Sequence, residues 1–311
     1  MSGAAAAMAA PVRDANRDVQ TAIGLGVWMV AVVVLPMSAS LQARILLLAP
    51  LVIVPRLLPA LRPEAWSAAR MVPGPWAALL TALALVAAFA SPPGPLAAAM
   101  ALPWLAFAYG LAAAATLHGL RRLPQLLHPR RAAELAGVVA AGFLAVGGTF
   151  IVVDRLGIEP LGFSGTIVML TAVHFHWAGF GLLAVGAWLA GRRPRLGPLA
   201  LGLMAGIPVT AAGFVLGSSV LSALGALMTG ASGIGIGLAL LLGRSLHPGA
   251  RRLGLALAGL ALLIGMPVGI AWASALALGT TFLDIDAMVR THGALNAVAV
   301  TLAALALPGR E

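Results

Sequence analysis

Two histidine motifs hold most of the residues in this chain that are able to do chemistry: HFHWAGF at 174–180 and RTHGALN at 290–296. Imidazole gains and loses a proton near neutral pH and, when neutral, can bind a metal. In the first motif His174 and His176 are two residues apart, which on a regular helix separates them by about 200° and sends them to opposite faces. Zinc-binding helices use i and i+4 instead. Joint chelation by His174 and His176 therefore requires a π-bulge or local unwinding, with Gly179 a suggestive neighbour. A cheaper arrangement gives one imidazole to a site and the other to a neighbouring helix as a hydrogen-bond partner. In the second motif His292 and Asn296 are four residues apart, so they share a helix face and can hold one substrate group or one ion together. A helix start near an interface, where polar residues cost little, is the plainer account of that pair.

The acids are few, nine in all, and several fall close to these motifs in sequence. Asp154, Arg155 and Glu159 precede the first motif, and Asp284 and Asp286 precede the second. A solvated loop accounts for them simply. A vestibule of carboxylates over a buried histidine site would tune or relay protons, with Asp154, Glu159 and Asp286 as candidate partners of His174, His176 and His292. Thr171, Trp177, Arg290 and Asn296 are the candidate substrate-binding residues. His174, His176 and His292 are also the candidate metal ligands, although regular helix geometry does not bring all three together. Cysteine is absent, so any metal falls to His, Asp or Glu. A His-bound divalent metal is the cofactor to consider first, and a haem held by two histidines comes after it. His118, His128 and His247 lie among arginines at helix ends, where solvation suffices. Glu134 suits a helix N-terminus. Trp28, Trp66, Trp76, Trp104, Trp188 and Trp272 read as packing or interfacial anchors. With no lysine there is no Walker loop, and GxSxG, HExxH and paired-aspartate diphosphate motifs are missing.

The elements that position these residues are membrane spans. The 311 residues are 61% hydrophobic and only 9% charged, with mean hydropathy +1.03, against roughly 25% charge in soluble proteins. Stretches of about 20 apolar residues place ten spans near 21–37, 43–60, 75–91, 96–117, 132–153, 162–190, 197–217, 219–243, 252–274 and 287–307. The predicted fold is an all-α polytopic transmembrane bundle forming a single domain over 21–311, with residues 1–20 a flexible cytoplasmic tail. The second span carries Pro50, Pro55, Pro59 and Arg56 and is expected to be kinked or re-entrant. Glycines 225, 230, 233, 235 and 237 let helix backbones approach closely. Sixteen of the 19 arginines fall in alternate connections, leaving only Arg44, Arg155 and Arg290 on the other side. By the positive-inside rule both termini are cytoplasmic. That distribution speaks for topology and against a nucleic-acid patch. The run from Thr21 to Leu35 followed by Ser38-Ala39-Ser40 also resembles a signal peptide, whose cleavage would leave nine spans. From an outer end near Gly162, His174 lies about 12 residues in, or about 18 Å. At that depth an ionisable side chain usually faces the bundle interior.

Through LGFSGTIVMLTAVHFHWAGF at 161–180 and HGALN at 292–296 the chain resembles the YndJ-like family of bacterial membrane proteins. The shared pattern falls on His174, His176, Ala178, Gly179, Phe180, His292, Gly293 and Asn296, and departs from it at Val298, Ala299 and Val300. The resemblance implies a multi-pass protein of the bacterial inner membrane and brings no established substrate. Two functions fit the residues best, ahead of a non-catalytic membrane sensor or assembly factor that would use the histidines for haem or metal. One is an intramembrane enzyme acting on an isoprenoid or other lipid by acid–base or metal chemistry, with His174 or His176 and His292 at the reactive centre and Asn296 orienting the substrate. The other is a proton-coupled secondary transporter for a small molecule, with a midplane histidine. The expected partners are membrane lipid and the substrate.

Overall fold

The computed structural model describes residues 3–35, 40–61, 74–122, 131–243 and 249–307. Arg62, Trp66, Arg70, His128, Arg130, Arg244, His247, Arg310 and most of the Ser38–Ala39–Ser40 stretch lie outside the described residues. Ten helical segments follow in order: α1 Gly3–Val34, α2 41–61, α3 Pro75–Ala90, α4 Pro95–Arg121, α5 Ala132–Leu156, α6 Gly165–Arg192, α7 Gly197–Val215, α8 Ser219–Leu242, α9 Ala250–Ala277 and α10 Ile285–Ala306. Among the described residues nine are long and apolar enough to cross a membrane, and α3, with 16 residues, is shorter. The segments coincide with the ten hydropathy-derived spans to within a few residues except at the start. There α1 is helical from Gly3, in keeping with the helix propensity of its alanine-rich beginning, where the composition had suggested a flexible tail.

Burial ranks the helices. In α2, 83% of the apolar window is inside the protein, and in α6 61%, against 22% in α1. These two helices form the centre, and the rest surround them with apolar outward faces. The prolines of α2 do not break it: a π-helical segment, Ala49–Ile53, sits between α-helical Leu41–Leu48 and Val54–Leu61. Pro55 has no N–H to give the carbonyl of Leu51, which is one cause of the widened turn. Arg56 is buried in this helix because the protein satisfies it. Its Nε donates to the Ala304 carbonyl (3.2 Å), Nη2 to Leu305 (3.1 Å) and Nη1 to Asp18 (2.7 Å), so it caps the C-terminus of α10 and ties it to α1. Arg44 similarly reaches the α1 carbonyls of Val32 and Leu35. On the other side of the bundle α7, α8 and α9 pack through small residues. A Cβ on Gly233 would come within 2.8 Å of Met266, and one on Gly237 within 2.9 Å of the Gly259 carbonyl.

Two further π segments interrupt α6 at Phe175–Leu182 and α10 at Val289–Gly293. Both fall on the histidine motifs.

Candidate functional site

α6 and α10 enter the bundle from the same end, together with the close of α9. This end, called here the mouth, carries a cleft of about 660 Å³ lined by Ser164, Thr166, Trp272, Thr280, Asp284 and Asp286 among others. A volume of that size suits a small molecule or a lipid headgroup. The mouth-side half of α6 packs on α5 and α2, and α10 meets α6 mainly along the π segment. On the mouth side α6 thus parts from α9 and α10, which stay packed on each other. Trp272 holds the rim by donating Nε1–H to the Leu283 carbonyl at 2.9 Å.

The two histidines of α6 part company. His176 is wholly buried. Its Nδ1–H donates to the Ala172 carbonyl at 2.8 Å, and its Nε2 accepts from Trp104 Nε1–H of α4 at 3.0 Å. The ring is accommodated because residue 147 of α5 is glycine: a Cβ there would lie 2.6 Å from His176 Nδ1. Both ring nitrogens are engaged, so His176 has no lone pair to offer a metal or a substrate. His174 instead is exposed, and its Nδ1–H donates to the Leu170 carbonyl one turn back at 2.8 Å. A carbonyl can only accept, so this bond fixes the tautomer and puts the lone pair on Nε2. Helix α6 starts at Gly165 after a 3₁₀ turn at Pro160–Gly162. His174 is therefore nine residues in, about 14 Å along the helix from its start, where the sequence suggested about 18 Å.

His292 leans on α9. Its Nδ1–H donates to the Gly265 carbonyl at 2.9 Å, and the ring lies where a Cβ on Gly269 would come within 2.6 Å of Cε1. Asn296 Nδ2 lies 3.1 Å from Nδ1 and 3.2 Å from Nε2; since Nδ1 carries the proton, Nε2 is the acceptor for the amide. Asn296 Oδ1 is buried without a partner, and so is the Nε1–H of Trp177. His174 and His292 are within electrostatic range of each other. Trp177 and Asn296 thus lie on the stretches along which α6 and α10 meet, with His174 and His292 farther toward the mouth and Asp286 lining the cleft there.

The other candidates have local roles. Asp154 pairs with the adjacent Arg155, at 2.6 Å to Nη2, and that guanidinium stacks over Phe89 of α3. Glu159 accepts the Gly165 N–H at 2.9 Å and caps α6. Asp284 accepts the Ala287 N–H at 2.7 Å and caps α10. Thr171 returns its hydroxyl to the Ile167 carbonyl, and Arg290 is exposed at the mouth end. Glu134 pairs with Arg131. Among the described residues no group of three or more His, Asp or Glu side chains is gathered to hold a metal ion. The π segment of α6 leaves His174 and His176 on different neighbours. Trp104, which the sequence offered only as a packing or interfacial anchor, proves to be the partner of His176, and the sequence did not single out Gly265 or Gly269. The last two form a small-xxx-small pair across Pro267, a signal that was present but had no partner to give it meaning.

The model of the YndJ-like protein family matches residues 44–300. The chain belongs to the YndJ-like family. The match runs from the start of α2 into α10 and takes in both histidine motifs. Neither a curated protein nor a solved structure matches the chain.

Proposed function

We propose that this YndJ-like protein is an intramembrane enzyme that carries out acid–base chemistry on a lipophilic substrate, an isoprenoid or similar lipid, with His174 as the proton-transferring residue. One observation supports the reading: in α6, a helix long and apolar enough to cross a membrane, an exposed imidazole keeps its Nε2 lone pair open, and a second imidazole on α10 is already oriented by Gly265 and Asn296. A solvent-free surface is an expensive place for such a side chain unless a polar partner visits it. The divergence of α6 from α9 and α10 toward the mouth provides lateral entry from lipid, and the apolar walls keep water from the reacting groups. In this reading Nε2 of His174 accepts a proton from the substrate, His292 and Asn296 hold the substrate's polar group, and Asp286 and Arg290 receive polar portions in the cleft. The protein lies in a bacterial inner membrane as ten spans, α3 included, with both termini cytoplasmic and the mouth facing out. Sixteen arginines on the opposite side support that orientation.

A proton-coupled carrier is the second reading, favoured by the π segments that interrupt three helices running in the same direction, α2, α6 and α10. The test compares lipid profiles of membranes containing the native chain, His174→Ala and His292→Ala at matched folded levels. Loss of a lipid product in both variants, about 10²-fold or more, is expected. An unchanged profile in both sinks the enzymatic reading. Counterflow uptake in proteoliposomes that depends on a pH gradient would establish the carrier in its place.

A further inference from the structure

Two buried polar atoms near the site are left without hydrogen bonds, and they are complementary. Trp177 is only 5% exposed, and its Nε1–H finds no acceptor; Asn296 Oδ1 is shielded and finds no donor. An indole N–H can only donate and an amide oxygen can only accept. Buried polar atoms are nearly always satisfied, so each exception calls for an explanation. Helix register brings these two to one level. Gly181 of α6 is so close to α10 that a Cβ on it would lie 2.7 Å from Val300 Cγ1. Both helices run inward from the mouth, so one turn back from that contact leads to Trp177 on α6 and Asn296 on α10. One further turn leads to His174 and His292. The remaining unpartnered atoms lie elsewhere: Trp188 Nε1 belongs to a ring stacked under Arg192, and Thr229 Oγ1 faces Gly206 between α7 and α8.

We propose that Trp177 and Asn296 form a subsite for a hydroxyl group, and that the substrate is accordingly a long-chain alcohol. This deepens the enzymatic reading above and rests on it for the word substrate. A hydroxyl is the smallest group that accepts from the indole and donates to the amide oxygen through a single atom. A carboxylate or phosphate dianion has no proton for Asn296, an ether, ester or ketone has no donor, and an ammonium cannot accept. A hydroxyl seated there lies one turn below His174, which places its neighbouring carbons alongside Nε2. Both atoms are closed off from solvent, so the alcohol enters by parting α6 from α10 where the π segments at 175–182 and 289–293 already loosen the helical ladder. Water offers the same donor and acceptor chemistry, and the experiment separates the two.

The full chain is labelled with ¹⁵N-tryptophan in nanodiscs, and the indole N–H signal of Trp177, assigned by its loss in Trp177→Phe, is followed during addition of dodecan-1-ol, its methyl ether or dodecane. The alcohol is expected to shift the Trp177 signal saturably, with dodecane silent and the ether binding at least tenfold more weakly. Trp177→Phe and Asn296→Leu should each weaken alcohol binding about tenfold, read from the remaining indole signals, with Asn296→Asp restoring much of it. If the Trp177 signal ignores the alcohol, or if all three probes act alike, the subsite is refuted; a cross-peak to water alone assigns the position to water and refutes it equally. His174→Ala should bind the alcohol undiminished. Binding without any His174-dependent product therefore overturns the enzymatic reading and leaves the subsite, whereas His174-dependent product without a Trp177 response does the reverse.

Discussion

The contrast between the two α6 histidines predicts a measurable coupling between His176 and Trp104. Both side chains are wholly buried, with 3.0 Å between Nε1 of the indole and Nε2 of the imidazole. Trp104→Phe leaves the imidazole lone pair unpaired, and His176→Leu leaves the indole N–H unpaired. The double variant removes both groups together, and removing both members of a buried pair costs less than the two single removals added. Interhelical hydrogen bonds in membrane proteins give coupling energies averaging about 0.6 kcal/mol and reaching about 1.7 kcal/mol. The complete burial of this pair argues for the upper half of that range. The assay is reversible unfolding of the four proteins in mixed detergent micelles, followed by helix content. A coupling of about 1 to 1.7 kcal/mol is expected. Additivity to within about 0.3 kcal/mol would show that His176 is not held as described and would return it to the list of reactive residues.

Gly269→Ala should displace the His292 ring, because the new Cβ would stand 2.6 Å from Cε1. A shift of about 1 Å in a positioning residue can lower turnover about 10²-fold, while the melting temperature changes little, and the pair of measurements separates a site effect from unfolding. Arg56→Gln should cost about 2 to 4 kcal/mol in the same unfolding assay, since a buried guanidinium bonded to Asp18, Ala304 and Leu305 is lost. Asp18→Asn should cost under about 1 kcal/mol, because that carboxylate is 71% exposed; equal costs would contradict the capping role of Arg56. The absence of native cysteine makes topology directly testable. Leu278→Cys should react with a membrane-impermeant maleimide added outside the cell and Pro194→Cys only after permeabilisation, and the opposite pattern inverts the orientation.

Hydropathy located the ten helices because about 20 apolar residues are needed to cross lipid, and the prolines of α2 marked the helix that carries the π-helical segment Ala49–Ile53. The π segment of α10 was not legible, since RTHG carries no local signal for a wide turn, and for that of α6 the sequence offered only Gly179 as a hint. Helix angles did show that His174 and His176 diverge, and the two rings do take different hydrogen-bond partners. Which histidine took which part depended on Trp104 and Gly147, far away in sequence and silent until packed. Asp154, Glu159 and Asp284 each find a local partner, in an ion pair and two helix caps that the sequence did not reveal, while Asp284 and Asp286 also line the mouth cleft.

The central claim, that His174 and not His176 shares a site with His292, is tested most directly by disulfide cross-linking in this cysteine-free chain. Cysteines placed at 174 and 292 should join under mild oxidation or with a short bifunctional thiol reagent, and cysteines at 176 and 292 should not. Linking of the 176–292 pair with no linking of 174–292 would contradict the account.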